Sequence, residues 1–576
     1  MYLPSLQTSS ASREIQTIFA GYSHTLSPSD NQFFEMSNMT GAFYPLLSPR
    51  ALRSRFHSLQ QPHGMLTHDS LCWVDGTSMY YDGELVGSVS DTDKQLVMMG
   101  AYILVWPDKK LFHTETKEWK SLDLLRSGNT LNHLENQEYM YAELAGASGQ
   151  QDTAFVQGDI VEVSYYAFTT DLDSAKTAED SYAERKVFVS VVDFHSNTTY
   201  MDVADLAYDD VVYTEYTGYI SNRTAFEEKF PSFEFPAQKL ELHRKVPDLE
   251  YIVEWNNRIW GCLSDSNELF ASKLGDPSNW YCYEGTSQDS YSVNVGTPGN
   301  FTGIAAYGDS VLFFKSDSIH RVVGSRPSNF QTSTLFCSGV EPGGFRSVCQ
   351  AAGRLYYKGV HGVYSFTGSM PVCISADLGQ VTYTDAAAGV LGDRIYFSMR
   401  ALPHGSLPSE WVQEHWELLV YDTARQFWHK EDQTQASFFA AFRGDLYFID
   451  EDTKMLESVS GSTKPLYTGG DPGRVETGVP WSVQTGRILL SLPDHKYITR
   501  LQLSATMQAE SNLKVEVRYD DDREWKIAFS GLTHRQTHYA VPLIPHRCGY
   551  MEIRISGVGD AKIHTISRYV EQGSEL

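Results

Sequence analysis

One short pattern recurs through the middle of this chain and limits what it can fold into. A turn pair followed by an apolar-aromatic run appears at Asn257-Arg-Ile-Trp260, Gly308-Asp-Ser-Val-Leu-Phe-Phe314, Gly353-Arg-Leu-Tyr-Tyr357, Gly392-Asp-Arg-Ile-Tyr-Phe397 and Gly444-Asp-Leu-Tyr-Phe448. The copies are spaced by 51, 45, 39 and 52 residues. Gly-Asp supplies a tight turn in which a positive φ costs a glycine little. A second strand-like run follows most copies, as at Ser318-Ile-His-Arg-Val-Val323, His361-Gly-Val-Tyr-Ser-Phe366, Leu418-Leu-Val-Tyr421 and Met455-Leu-Glu-Ser-Val459. A period of 40–50 residues carrying several short strands is the signature of propeller blades. Weaker copies stand at Ser78-Met-Tyr-Tyr-Asp-Gly83 and Tyr102-Ile-Leu-Val-Trp106. Segments 69–122 and 247–470 together span 278 residues, which predicts about six or seven blades. The competing reading of the spacing is a pair of β-sandwiches. The aromatic content, 13% with 34 Tyr, suits half-buried pleated surfaces.

The rhythm breaks twice. Segment 123–246 opens on a polar stretch, 129–151, with room for a short helix. It continues with strand-like runs at Asp159-Ile-Val-Glu-Val-Ser-Tyr165, Lys186–Val192, Asp210–Tyr213 and Tyr216–Ile220. It reads as a small β domain inserted between blades, and Gly158-Asp-Ile-Val-Glu-Val as a barrel-opening strand. A long insertion in a loop costs little closure entropy. Segment 480–576 alternates with period two at Leu513–Tyr519 and Met551–Ile555, the pattern of an antiparallel sandwich with one wet face. Leu501-Gln-Leu503 is a shorter copy, and Ile498 falls out of phase with it. Segment 1–68 is weakly periodic and proline-marked, which predicts an extended arm or edge strand.

The chain of 576 residues carries a net charge of −26, and the charge is not spread evenly. Segment 123–246 has 22 acids and 9 bases, net −13. Segments 1–68 and 480–576 are each net +1, and the remaining residues are net −15. So surplus acid excludes tight general binding to duplex DNA, which needs clustered Lys and Arg. The candidate charged surfaces are Asp171, Asp173, Asp209, Asp210, Glu227 and Glu228 in the acidic segment, and the cluster Arg50, Arg53 and Arg55 near the start. The arginines are placed to meet acid on a neighbouring subunit or adaptor; the alternative is a solvated basic face.

Little in the sequence points to chemistry. No P-loop, H-E-x-x-H or G-x-S-x-G is present. His68-Asp69-Ser70 is contiguous, unlike a triad assembled from distant positions. Acid pairs such as Asp91 with Asp93 and Asp450-Glu451-Asp452 read as turns, although a propeller glycosidase would need two carboxylates facing across a cleft. Asp520-Asp-Asp522 lacks the alternating ligands of a calcium loop, and His534 with His538 falls in a strand region. Seven cysteines, an odd number without C-x-x-C, imply neither a disulfide framework nor a zinc ribbon. No cofactor or metal is expected. The first residues lack the pattern of a secretory signal, and the longest apolar run is half a membrane span.

Two loops share a design: Leu269-Phe-Ala-Ser-Lys-Leu-Gly-Asp-Pro-Ser-Asn-Trp280 and Val323-Gly-Ser-Arg-Pro-Ser-Asn-Phe330. In each, Pro sets a turn, Ser and Asn cap it, and an aromatic plugs the blade. With Asn31-Gln-Phe-Phe-Glu-Met-Ser-Asn-Met39, Tyr44-Pro-Leu-Leu-Ser-Pro-Arg50 and Glu571-Gln-Gly-Ser-Glu-Leu576, these loops resemble the tail nozzle, or packaged-DNA stabilisation, proteins of short-tailed bacteriophages. The resemblance runs through the first segment, the repeats and the last segment; 123–246 is the part that matches least. It implies an all-β protein: a six- to seven-bladed β-propeller (69–122 and 247–470) with an inserted small β domain (123–246), an N-terminal extended arm (1–68) and a C-terminal antiparallel β-sandwich (480–576). It implies a structural virion protein, not an enzyme, made in the host cytoplasm and built into the tail. Its partners would be copies of itself in a hexameric ring, portal and adaptor proteins, other tail proteins and the host surface. Genomic DNA would pass through without specific binding, repelled by acid lining the channel. The alternatives are a tail-tip protein that binds a host glycan and a propeller glycoside hydrolase.

Overall fold

The computed structural model describes residues 11–572 apart from 134–138, 145–154, 169–181, 196–197, 203–230, 232–239, 380, 403–413, 490–495, 509–510, 521 and 533–537. The described residues are all-β, with three single-turn 3-10 helices and no α-helix. They form many small antiparallel sheets. Six have four strands each (62–88, 95–121, 251–294, 301–336, 349–373 and 382–430), and in each the strands follow one another in chain order. A seventh, built on strands Ala436–Phe442, Asp445–Asp450 and Met455–Ser458, has five. Contacts part the chain into two compact units, one of residues 1–93, 314–319 and 335–576, the other of 94–313 and 320–334.

Every strong copy of the repeat is the turn and second strand of one of these sheets: Arg258–Leu263, Ser310–Lys315, Arg354–Gly359, Arg394–Leu402 and Asp445–Asp450. Gly308, Gly353, Gly392 and Gly444 all sit at positive φ, as their turns require. The weaker copy at 78–83 is displaced by one strand. In sheet 62–88 the second strand is Ser70–Asp75, and the residue at positive φ before it is Asp69, so no glycine marks the turn.

The second strands read as apolar runs because both of their faces are covered. In Asp445–Asp450, Tyr447 and Ile449 pack into a cluster with Met65, Leu71 and Trp73 of sheet 62–88. Leu446 and Phe448, on the opposite face, pack with Tyr396, Leu418 and Val420 of sheet 382–430. The last small sheet in the chain therefore packs against the first.

The segment before the repeats is not a separate arm. Strand Ala11–Gln16 pairs with Ala561–Gln572, and Phe33–Ser37 pairs with Pro480–Thr485. Strand Ser54–Ser58 lies between Met455–Ser458 and Arg474–Val475 and completes the five-stranded small sheet. Pro62–His68 is already the first strand of sheet 62–88.

The last segment forms two five-stranded sheets sharing a core of Trp481, Leu501, Leu503, Val515, Val517, Ile553, Ile555 and Ile563. The phase break at Ile498 has a local cause. The register of Lys496–Met507 against Ala561–Gln572 shifts between Ile498 and Arg500. This bulge turns both Ile498 and Leu501 into the core, each fully buried. Both near-neutral ends of the chain thus come together in one body.

Segment 124–244 closes into a barrel of six strands: Leu124–His133, Tyr139–Leu144, Thr198–Asp202, Tyr182–His195, Ile160–Phe168 and Leu240–Arg244, in that order around the barrel. Residues 129–133 and 139–144, where a short helix was expected, are strand. The runs at Asp210–Tyr213 and Tyr216–Ile220 lie outside the described residues.

Candidate functional site

Arg50 and Arg53 are buried, so these two form neither a solvated basic face nor a contact for acid on a neighbouring subunit. Arg53 donates to Glu431 Oε2 at 2.8 Å and to Thr434 Oγ1 at 2.9 Å, and it lies 2.9 Å from Asp432. Arg50 donates to Asn38 Oδ1 at 2.8 Å, pairs with Glu476 and stands 3.6 Å from Asp432. Glu476 also accepts the Arg53 backbone N–H at 2.7 Å. Two buried cations thus meet three acids of their own chain, which leaves neither free for a partner. A charge is buried only beside an opposite one because burial alone is costly. Arg55 differs: its side chain is 52% exposed while its partner Glu457, 2.8 Å away, is buried.

The electrostatics follow from burial and pairing. Burial pushes the Glu431 carboxyl up, against the pull of Arg53 and Arg50. For Asp432 the same burial is outweighed by the two arginines, which hold it below the usual carboxylate range. Arg53 is raised because Asp432 and Glu431 outweigh its desolvation.

A second buried cluster lies in the same unit. Glu417 accepts from Tyr383 Oη at 2.6 Å and Lys430 Nζ at 2.6 Å, and sits 3.1 Å from His415. Burial pushes Glu417 up, but Lys430 and these hydrogen bonds prevail and lower it. Lys430 also approaches Glu35 at 3.7 Å, and Glu35 lies 3.2 Å from His24. The hydrogen bond to Glu35 raises His24. The two clusters fasten residues 24–55 onto sheet 382–430 and the five-stranded small sheet.

A third cluster sits at the base of the barrel. Arg244 pairs with Asp159 at 2.7 Å, both side chains buried. Its other nitrogens donate to the carbonyls of Leu122 and Ser121 at 3.0 and 2.7 Å. Asn279, from the loop that ends on Trp280, accepts the Ile160 N–H at 2.8 Å. Trp280 is buried, as that loop predicts, and its indole donates to the Pro277 carbonyl at 2.9 Å. Four separate chain passes, at 121–122, 159–160, 244 and 279, therefore fix the barrel's base. Beside them a cleft of about 420 Å³ is lined by Ile160, Phe188, Tyr281, Tyr283 and Glu284.

The remaining sequence candidates resolve as follows. Asp171, Asp173, Asp209, Asp210, Glu227 and Glu228 lie outside the described residues, as does His534. Ser70 Oγ donates to Asp82, and His68 pairs with Asp69, so the contiguous trio forms no relay. Asp91 and Asp93 hold the two nitrogens of His63 at 2.8 and 3.0 Å. Asp450 accepts from the Asp452 N–H and the Thr453 hydroxyl, as a turn residue does. Asp520 accepts two backbone N–H groups, from Gly549 and Tyr550. All seven cysteines are free. Cys282, Glu284 and Asp289 bring their ligand atoms within 4.8 Å of one another. Yet Asp289 accepts from two backbone N–H groups and the Thr286 hydroxyl, and burial pushes the Cys282 thiol up, so the set works as a turn. Sequence reasoning missed Glu417, Glu431, Asp432 and Glu476; the last three sit hundreds of residues from Arg50 and Arg53, while Glu417 meets Tyr383 and Lys430 only once sheet 382–430 forms.

No protein-family model matches the chain, and no curated protein does. Solved structures give distant likenesses. BamB from Moraxella catarrhalis is 10% identical, covers 38% of this chain and 72% of its own, and has a TM-score of 0.22. The exo-beta-1,3-galactanase from Phanerochaete chrysosporium is 8% identical over 55% of this chain and 95% of its own, with a TM-score of 0.21. The N-terminal domain of Nup159 is 9% identical over 77% and 99%, with a TM-score of 0.27. These likenesses carry no functional assignment.

Proposed function

We propose that this chain is the subunit of a short-tailed bacteriophage tail nozzle, a ring of six copies below the portal and adaptor. It retains packaged DNA and conducts it during ejection, and it catalyses no reaction. Within each copy the seven small sheets are the blades of one propeller. Strand Ser54–Ser58, which precedes the first sheet in the chain, completes the last, and this is how a circular array of blades closes. The barrel is the inserted domain, and the sandwich is the contact body.

The observation that carries this reading is where the charge stands. The buried acids Asp159, Glu341 and Glu431 and the carboxylate of Asp108 each sit beside a buried base, Arg244, Lys358, Arg53 and Lys94, and Glu417 sits beside the half-buried Lys430. Pairs of this kind consume acid and base equally among the described residues, and on this reading the surplus of 72 acids over 46 bases lies at the surface. A surface of that kind repels phosphate, so DNA slides along it rather than binding. The effect is felt within a Debye length, roughly 8 Å in physiological salt.

Two measurements on the purified chain test the proposal: negative-stain images, and the mobility of duplex DNA mixed with the protein. The expected result is rings with an open centre and unretarded DNA at physiological salt. Monomers at all concentrations, or retarded duplex, would overturn it.

A further inference from the structure

Among the described residues the two sandwich sheets end on four strands, Ala11–Gln16, His538–Pro542, Phe33–Ser37 and Lys526–Leu532. Strand Lys526–Leu532 ends its sheet, and its ladder partner is Asn512–Tyr519. An unpaired edge is a template for another strand, and proteins blunt such edges with charge or proline. The other sandwich edges carry these devices. Ala11–Gln16 holds Arg13 and Glu14, Phe33–Ser37 holds Glu35, and His538–Pro542 ends in Pro542, with Pro545 close behind. Strand Lys526–Leu532 holds no proline, and its single charge, Lys526, is spent on Asp522 at 2.8 Å.

The same flank is apolar where it meets solvent. Ile527 is 62% exposed, Leu532 66% and Ile544 89%. Just before the strand, the Trp525 ring lies 4.1 Å from the Arg554 guanidinium and 4.7 Å from that of Arg518. Tryptophan and arginine beside exposed aliphatic side chains is the composition of an interface core.

Charge indicates the occupant. The sandwich is built from the two segments that are each net +1, while the other parts of the chain are net −13 and −15. Two copies of a −26 chain therefore repel each other least when they meet at their sandwiches. We infer that strand Lys526–Leu532, with Ile544 and Trp525, is the seat on which a second copy of this chain docks, through the near-neutral sandwich of that copy. This rests on the ring assembly proposed above and assigns the surface that forms it.

The test compares the full chain with the double variant Ile527→Lys/Leu532→Lys, with Ile544→Asp, and with Leu26→Lys as an exposed control, by mass photometry across concentration and salt. Thermal midpoints show that each variant folds. The wild type and L26K should assemble alike. The two edge variants should need at least a tenfold higher concentration to assemble, with unchanged midpoints. Assembly of folded edge variants at the wild-type concentration would overturn this assignment and leave the ring intact. A wild type that stays monomeric throughout would overturn the ring reading itself, and this assignment with it.

Discussion

Arg53 and Glu431 face each other across 2.8 Å, each side chain only 5% exposed, although 378 positions separate them in the chain. Removing one partner of such a pair leaves a buried charge uncompensated. Arg53→Met should therefore destabilise the protein by about 3–5 kcal/mol, measured as a fall in the urea midpoint at constant slope. Arg53→Met/Glu431→Gln should recover a large part of that loss. A single variant as stable as wild type would show that the pair does not fasten the segment.

Strand Ser54–Ser58 pairs on both sides, with Ser54 opposite both Ser458 and Val475. A proline there removes a backbone donor from an interior strand. Ser54→Pro should cost about 1–3 kcal/mol and open the region around residues 50–60 to limited proteolysis before the rest of the chain. Digestion at the wild-type rate would contradict this closure.

His429 is buried against the Gly41 backbone, where a Cβ would lie 2.3 Å from the ring, and beside Phe427 at 4.8 Å. Burial pushes its pKa down to about 3 from an ordinary 6.5. Between those values the unfolded chain binds the proton and the folded chain does not. The group's stabilisation is therefore complete above pH 6.5 and is lost as pH falls towards 3, by up to about 1.4 kcal/mol per pH unit. His429→Gln should flatten that part of the stability–pH curve. Equal slopes in both proteins would refute it.

Asn279 accepts the buried Ile160 N–H, and its amide reaches the Gly158 carbonyl at 3.4 Å. Asn279→Ala leaves that N–H unpaired, at a cost of about 1–3 kcal/mol. Amide exchange should rise first at residues 158–163. Unchanged exchange in the alanine variant would mean that the loop does not hold the barrel.

The repeat was legible because its turns need a positive φ, and Gly308, Gly353, Gly392 and Gly444 advertise that need. The first sheet was misplaced by one strand because Asp69 fills the same role without a glycine signal. The sandwich strands showed in their period of two, and the bulge at Ile498 explains the one break in it. Strands Ala11–Gln16, Phe33–Ser37 and Ser54–Ser58 were not legible as parts of three sheets, since they gain their partners only from the far end of the chain. The same holds for Arg50 and Arg53: an arginine cluster reads as surface until Glu431, Asp432 and Glu476 are brought to it, and no local pattern announces them.

A cryo-EM map of the assembled ring decides whether DNA slides along an acidic wall, as proposed. The proposed nozzle should show a lumen lined by Asp and Glu from the small sheets or the barrel, with the sandwiches in contact between neighbouring copies. A lumen that is neutral or lined by Lys and Arg would contradict it.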